Sequence, residues 1–148
     1  KEGLWRAVVQ QLFAALADDF INRIVTLGDV APMEAARAMV KAFVRYSAAH
    51  PQLNRLMMQE CAGDSWRVAC IVEEYVAPML ERLGAALPEA AALLWGERDP
   101  HRYYLMVGAG AFVFSAEQEC RHLFGIDPRA EAFVERHAEL AADLLIRP

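Results

Sequence analysis

The sequence predicts an all-α domain: a bundle of about five to seven helices that ends in an antiparallel helix pair. Three observations carry the prediction. Apolar residues recur three and four positions apart, and no segment alternates apolar and polar residues for long, so the period is helical. Prolines and glycines fall between the periodic segments, where they start and stop helices. Hydrophobic residues make up 56% of the 148 positions, and a chain of that length buries roughly two thirds of its unfolded surface. The apolar share is high enough to leave surface for a partner interface or an internal cavity.

The first helix is predicted over residues 2–27. Leu4, Val8, Leu12, Leu16 and Phe20 form an apolar row, which Trp5, Val9, Phe13, Ile24 and Leu27 widen, while Arg6, Gln10, Asp18, Asn22 and Arg23 take wet positions. Gly28 suits the position after its end, since glycine enters the left-handed region without steric cost. Pro32 fits the first turn of a second helix that carries Met39, Phe43 and Tyr46 on its apolar side. Pro51 ends that helix by pushing His50 out of helical geometry, and opens a short helix over 52–62 with Leu53, Leu56, Met57 and Cys61. Gly63-Asp64-Ser65 is a break followed by a cap, from Asp64 or Ser65, for a helix reaching about Leu83. Ala69, Val72, Val76, Met79, Leu80 and Leu83 line it, and the interior Pro78 predicts a kink.

Pro88–Trp95 fits one more short helix, closed by Gly96. Asp99-Pro100 and Asp127-Pro128 repeat one start signal, an aspartate cap with proline at the first helical position. They open helices from 100 to about 123, stopping at Gly125, and from 129 to about 146. No repeat, low-complexity segment or linker divides the chain, so residues 1–148 read as one domain.

Charge and cysteines narrow the function. Fifteen basic against twenty acidic residues give a net charge of −5, with no basic run. Nucleic-acid affinity rests on basic surface, so this stretch taken alone is not expected to hold DNA or RNA. Cys61, Cys70 and Cys120 are widely spaced and form no Cys-x-x-Cys pair, which excludes a zinc ribbon or thioredoxin motif and reads as reduced cytoplasmic thiols. The longest apolar run, Tyr103 to Phe114, has twelve residues, where a membrane span needs about 20. No signal peptide is visible, and the chain opens at Lys1-Glu2-Gly3 without an initiator methionine, as a fragment or an edited chain does.

Motifs that would carry catalysis fail on inspection. Gly108-Ala109-Gly110 has Val113 where a dinucleotide fingerprint needs its third glycine. Glu119-Cys120-Arg121-His122 is one Glu-x-x-His where a di-iron bundle needs two. His50, His101, His122 and His137 are scattered, and His137-Ala138-Glu139 lacks the cysteine half of a deaminase motif. Gly63-Asp64-Ser65 lacks the strand-to-helix turn of a hydrolase nucleophile. No catalytic residue, metal ligand or cofactor is assigned. A helical enzyme with a buried apolar site, and a thiol redox sensor using Cys61 and Cys70 across the Gly63 turn, stand as alternatives.

Two constellations point elsewhere. The helix after Pro100 is apolar nearly all round, with Tyr104, Val107, Gly108, Ala111 and Phe114 on one face and Tyr103, Met106, Gly110 and Val113 on another. The last helix carries Phe133, Val134, His137, Leu140, Ala141, Leu144 and Leu145. The pair either completes the subunit's own core or packs on a second copy as an isologous four-helix bundle. A glycine inside a helix costs about 1 kcal/mol relative to alanine, so Gly108 and Gly110 call for a packing or pocket reason. The second constellation is Phe43, Tyr46, Met57, Met58, Trp66, Tyr75, Met79, Tyr104, Met106 and Phe112, interspersed with Glu60, Cys61, Cys70 and Glu74. It is either ordinary core or the adaptable, mostly apolar wall of a small-molecule pocket.

Four segments resemble one family. Lys1-Glu2-Gly3-Leu4-Trp5 is similar to the segment that follows the helix-turn-helix of the tetracycline-repressor (TetR) family. His50-Pro51-Gln52-Leu53-Asn54-Arg55-Leu56-Met57, followed by Glu60, resembles the short sixth helix of that family, and Val76-Ala77-Pro78-Met79-Leu80 its kinked seventh. Leu123-Phe124-Gly125-Ile126-Asp127-Pro128 with Phe133-Val134-Glu135-Arg136-His137 resembles the junction and ninth helix of one subfamily. The resemblance implies the effector-binding and dimerisation domain of a homodimeric cytoplasmic transcription regulator, usually a repressor, without its helix-turn-helix. The expected partners are a second copy and a small apolar or amphipathic effector, with DNA reached only through the missing domain and no membrane. The ligand is expected among Phe43, Tyr46, Met57, Trp66, Cys70, Tyr104 and Phe112. The dimer is expected to use Val107, Ala111, Phe114, Phe133, His137, Leu140 and Leu144.

Overall fold

The computed structural model describes residues 1–27, 30–96 and 99–147, apart from the side chains of residues 19, 23 and 25. The expected cap at Gly28 and the wet position of Arg23 therefore lie outside the described residues. Eight helices and no strand form among the described residues. Helix α1 (Glu2–Leu16) continues through a π-helical turn (Ala17–Ile21) into Asn22–Val25. Then come α2 (Pro32–Ala49) and α3 (Pro51–Glu60). Helix α4 joins Trp66–Ile71, a second π-helical turn (Val72–Val76) and Ala77–Ala86. The rest are α5 (Pro88–Trp95), α6 (Pro100–Ser115), α7 (Glu117–Phe124) and α8 (Glu131–Leu145).

Local chemistry accounts for most boundaries. Prolines open α2, α3, α5 and α6. The Asp99 carboxylate accepts the His101 N–H at 2.9 Å. Gly96 and Gly125 close α5 and α7 at φ of 55° and 66°, where a side chain would be strained. The kink expected at Pro78 takes the form of the π turn just before it. Proline lacks an N–H and its ring crowds the carbonyl one turn back, and the Ala77 N–H reaches Val72 O instead of the usual α-helical partner.

Three details differ from expectation. The helix predicted over 100–123 breaks at Ala116 (φ −93°, ψ 28°), which raises the helix number to eight. Asp127 accepts the Arg129 N–H at 3.0 Å as a cap does, yet α8 starts only at Glu131 after a short turn. Ser65 precedes α4 but caps it with no side-chain bond.

Helix α2 is the hub, packed against α8, α6, α5, α3 and the far end of α1. Its Ala35, Ala36, Met39, Val40 and Val44 are buried. Small residues on α8, namely Ala138, Ala141 and Ala142, let the two backbones approach. Three ion pairs border that contact: Arg37–Asp143 at 2.5 Å, Lys41–Glu139 at 2.7 Å and Arg45–Glu135 at 2.6 Å. Partners advance by four along α2 and retreat by four along α8, so the helices run antiparallel. On α1 the buried row is Val9, Phe13, Leu16, Phe20 and Ile24, whereas Leu4 and Val8 face solvent.

Candidate ligand cavity

Five helices line a half-open hollow of about 230 Å³. Helix α1 contributes Phe13 and Leu16, and α2 contributes Phe43. Leu53, Asn54, Met57 and Met58 come from α3, and Val76 and Met79 from α4. Helix α6 forms the longest wall, with Tyr103, Val107, Ala111 and Ser115 spaced one turn apart and Gly108 and Phe112 beside them. The two glycines of α6 have separate reasons. A Cβ on Gly110 would stand 2.7 Å from the Phe43 ring, so glycine lets that ring lie on the helix backbone. Gly108 lies exposed at the rim of the cavity, and a Cβ there would meet nothing within 4 Å.

The wall carries no charged side chain. Its polar groups are few. The Asn54 amide nitrogen donates to the Ser47 carbonyl at 3.3 Å. Burial pushes the Tyr103 phenol above its ordinary range, with neighbouring Tyr104 adding to the effect, so the group stays protonated. The Ser115 hydroxyl is buried and has no hydrogen-bond partner.

Two other hollows are less suited to holding a small molecule. A cleft of about 350 Å³ at Arg45, Arg121, Asp127, Arg129 and Glu135 is open, and its charges largely satisfy one another. A groove of about 590 Å³ beside Trp95 and Tyr104 is a shallow surface feature.

The cavity unites three of the seven residues expected at the ligand: Phe43, Met57 and Phe112. The other four lie elsewhere. Tyr46 is a core residue whose hydroxyl donates to Leu12 O at 3.4 Å and whose ring stacks on His50. Tyr104 is 69% exposed and borders the outer groove. Trp66 packs edge-on against Trp5 with centroids 5.0 Å apart, and the guanidinium of Arg6 lies 5.3 Å from its ring centre. Cys70 is buried under Arg6, whose Nη1 donates to its Sγ at 3.2 Å.

Trp66 and Cys70 belong to a cluster that fastens the start of α1 to α3 and α4. Trp5 donates to Glu60 at 3.1 Å, Arg67 bonds the same carboxylate oxygen at 3.1 Å, and Arg6 bonds Glu74 at 3.1 Å. Cys61 is exposed and Cys70 buried, and both are free thiols. Desolvation pushes both upward in pKa, which is opposite to the thiolate a redox sensor needs.

The expected dimer residues also divide. Val107 and Ala111 line the cavity. Phe114 is 0% exposed, so the subunit's own core consumes it and it has no surface for a partner. His137 donates through Nε2 to Ala109 O at 2.7 Å, stacks on Phe133 and meets the edge of Phe114, all within one subunit. Leu140 and Leu144 keep large apolar surfaces in solvent, 48% and 59% exposed.

Sequence reasoning missed Phe13, Leu16, Asn54, Tyr103 and Ser115. The one-turn spacing of Tyr103, Val107, Ala111 and Ser115 was the available signal for the α6 wall.

The fold and cavity define an all-helical domain with an uncharged, apolar pocket lined by five of its helices. Residues 32–145 match the family described as Tetracyclin repressor-like, C-terminal domain, and the chain belongs to that family. No curated protein and no solved structure matches the chain. C-terminal domains of this family are regulatory, typically dimeric, and bind small-molecule effectors. No helix among the described residues is long and apolar enough to cross a membrane.

Proposed function

We propose that residues 1–148 are the effector-sensing and homodimerising domain of a cytoplasmic TetR-like transcription regulator, a repressor in its usual form. It acts by binding rather than by catalysis, and DNA is held by a separate reading domain on the N-terminal side of α1. The observation that carries this reading is the cavity, because α1 itself forms part of its wall through Phe13 and Leu16. An effector regulates only if it binds one arrangement of the domain better than another. A molecule seated between α1, α3, α4 and α6 selects among tilts of α1. The Trp5–Glu60 and Arg6–Glu74 bonds pass any shift of α3 or α4 to the start of α1. A second copy covers Leu140 and Leu144.

The test is thermal stabilisation of the 148-residue chain by uncharged apolar compounds. A ligand at 100 times its dissociation constant adds about 2.7 kcal/mol, which raises the melting temperature of a domain this size by roughly 5–10 °C. Ala111→Leu, at a buried position of the cavity wall, is expected to abolish that rise while keeping the helical circular dichroism. Absence of stabilisation by every compound, or a rise that persists in Ala111→Leu, refutes the reading.

A further inference from the structure

We infer that the ligand is a linear apolar chain with a polar group at one end, and that Met79 is the gate that sets how long that chain can be; this deepens the effector reading above and rests on it. The hollow of about 230 Å³ ends inward at a partition. Phe43, Met79, Tyr103 and Val107 line it, and the same four residues line a second, more enclosed space of about 50 Å³. Buried core residues such as Met39 and Leu83 form the far wall of that space. Alone it is too small for a ring, since benzene occupies a cavity of about 150 Å³.

One member of the partition is free to swing. The Phe43 ring lies on the backbone at Gly110, where even a Cβ would stand 2.7 Å from it, and it meets the edge of Phe20 at 6.3 Å. Tyr103 is braced edge-on by Tyr104, 5.1 Å between centroids. Val107 is β-branched and holds one strongly preferred rotamer in a helix. Met79 is unbranched and turns about three bonds, as suits a residue that fills irregular gaps. It also has somewhere to go. A third hollow, of about 180 Å³, lies between α1 and α4 beside Ala17, Ile21, Tyr75 and Pro78, and Met79 lines that one too. A side chain that borders three hollows gives up few packing contacts when it moves. Turned toward the third, it joins the first two into one channel and carries its thioether toward the π-helical turn of α1.

The channel fixes the shape and direction of its guest. The opening left by one unbranched side chain is about as wide as one methylene chain, so a chain passes where a ring does not. Met58, Gly108 and Phe112 form an exposed rim. Val107 of the partition stands five residues from Phe112, about 140° away around α6. A chain that enters tail first keeps its polar end in water at the rim and brings its apolar end to Met79. By proportion with benzene, the outer hollow holds about nine carbon atoms and the inner one about two.

The experiment is calorimetric titration of the 148-residue chain with 1-hexanol, 1-octanol, 1-decanol and 1-dodecanol. In the parent, each added methylene is expected to tighten binding about fourfold from hexanol through decanol, with no further gain at dodecanol. Met79→Ile is stiff and close in volume, and keeps the gate shut. Hexanol and octanol then bind within about twofold of the parent, and decanol gains nothing over octanol where the parent gains about fifteenfold. Met79→Ala removes the gate, and the gain runs on to dodecanol; if that variant does not fold, the comparison with Met79→Ile decides. One chain-length dependence shared by the parent and Met79→Ile overturns the inference, because long chains then leave through the rim. The cavity still stands as a ligand site in that case, provided Ala111→Leu blocks all four alcohols. If no alcohol binds the parent, or Ala111→Leu leaves binding unchanged, both this inference and the effector reading fall.

Discussion

The two flanks of the hub helix α2 are built on different terms. Toward α8 the contact is close and filled: alanines meet, Phe114 is sealed, and the ion pairs at Arg37, Lys41 and Arg45 border the seam. Toward α1, α3 and α4 the side chains are large, flexible or aromatic, and they line a half-open hollow. Both π-helical turns lie on this second flank, and the stacked pair Phe13–Tyr75, 4.7 Å between centroids, joins the two helices that contain them. A π turn forgoes regular helical bonding and recurs at functional sites. The contrast sets a close-packed, charge-bordered flank against one that leaves a pocket.

The largest test of that contrast sets two residues of the α6–α8 flank against each other. Phe114→Glu places an unpaired charge in a fully buried position and is expected to abolish cooperative unfolding, a loss of several kcal/mol. Leu144→Asp, on the exposed face of α8, is expected to change stability by no more than about 0.5 kcal/mol while halving the mass seen by light scattering. A dimer mass retained by Leu144→Asp places the interface away from this residue.

The glycines of α6 sharpen the comparison at smaller scale. Gly110→Ala drives a Cβ into the Phe43 ring and is expected to cost about 1–3 kcal/mol in urea unfolding. It also weakens ligand binding, because the displaced ring enters the cavity. Gly108→Ala meets open space and is expected to stabilise by about 0.5–1 kcal/mol. Equal effects at both positions would erase the distinction between packing glycine and pocket glycine.

The smallest effect belongs to the charged seam. The Arg45 guanidinium, hydrogen-bonded to Glu135, holds that carboxyl below its ordinary value of 4.5. A depressed carboxyl stabilises the fold above its unfolded pKa and loses that contribution as pH falls through the lower folded value. Both partners are partly exposed, so the pair is worth under about 1 kcal/mol. Glu135→Gln should therefore fall slightly short of the parent at pH 7 and converge on it as acid protonates Glu135, as read by urea midpoints. A gap that widens on acidification contradicts this sign.

The punctuation of the fold was legible because it is local chemistry: prolines at four helix starts and glycines at Gly96 and Gly125 act on their own backbone. The break at Ala116 was not, since no glycine or proline marks it. There Glu117 pairs with Arg121 at 2.9 Å and with Arg55 of α3 at 3.7 Å, a contact no local rule supplies. The site shows the same limit. Neighbouring residues on a helix point about 100° apart, so preferring Tyr104 to Tyr103 chose the outer groove over the cavity. Trp66 and Cys70 have the composition of a pocket wall, but the long-range bonds of Trp5 and Arg6 recruit them into a fastening cluster.

That cluster has one practical consequence. Two indole rings 5.0 Å apart, each flanked by a guanidinium, form an emissive centre whose colour and brightness depend on ångström-scale geometry. One ring rides on α1 and the other on α4. The polypeptide thus carries its own optical gauge for the tilt of its leading helix, readable without any attached dye.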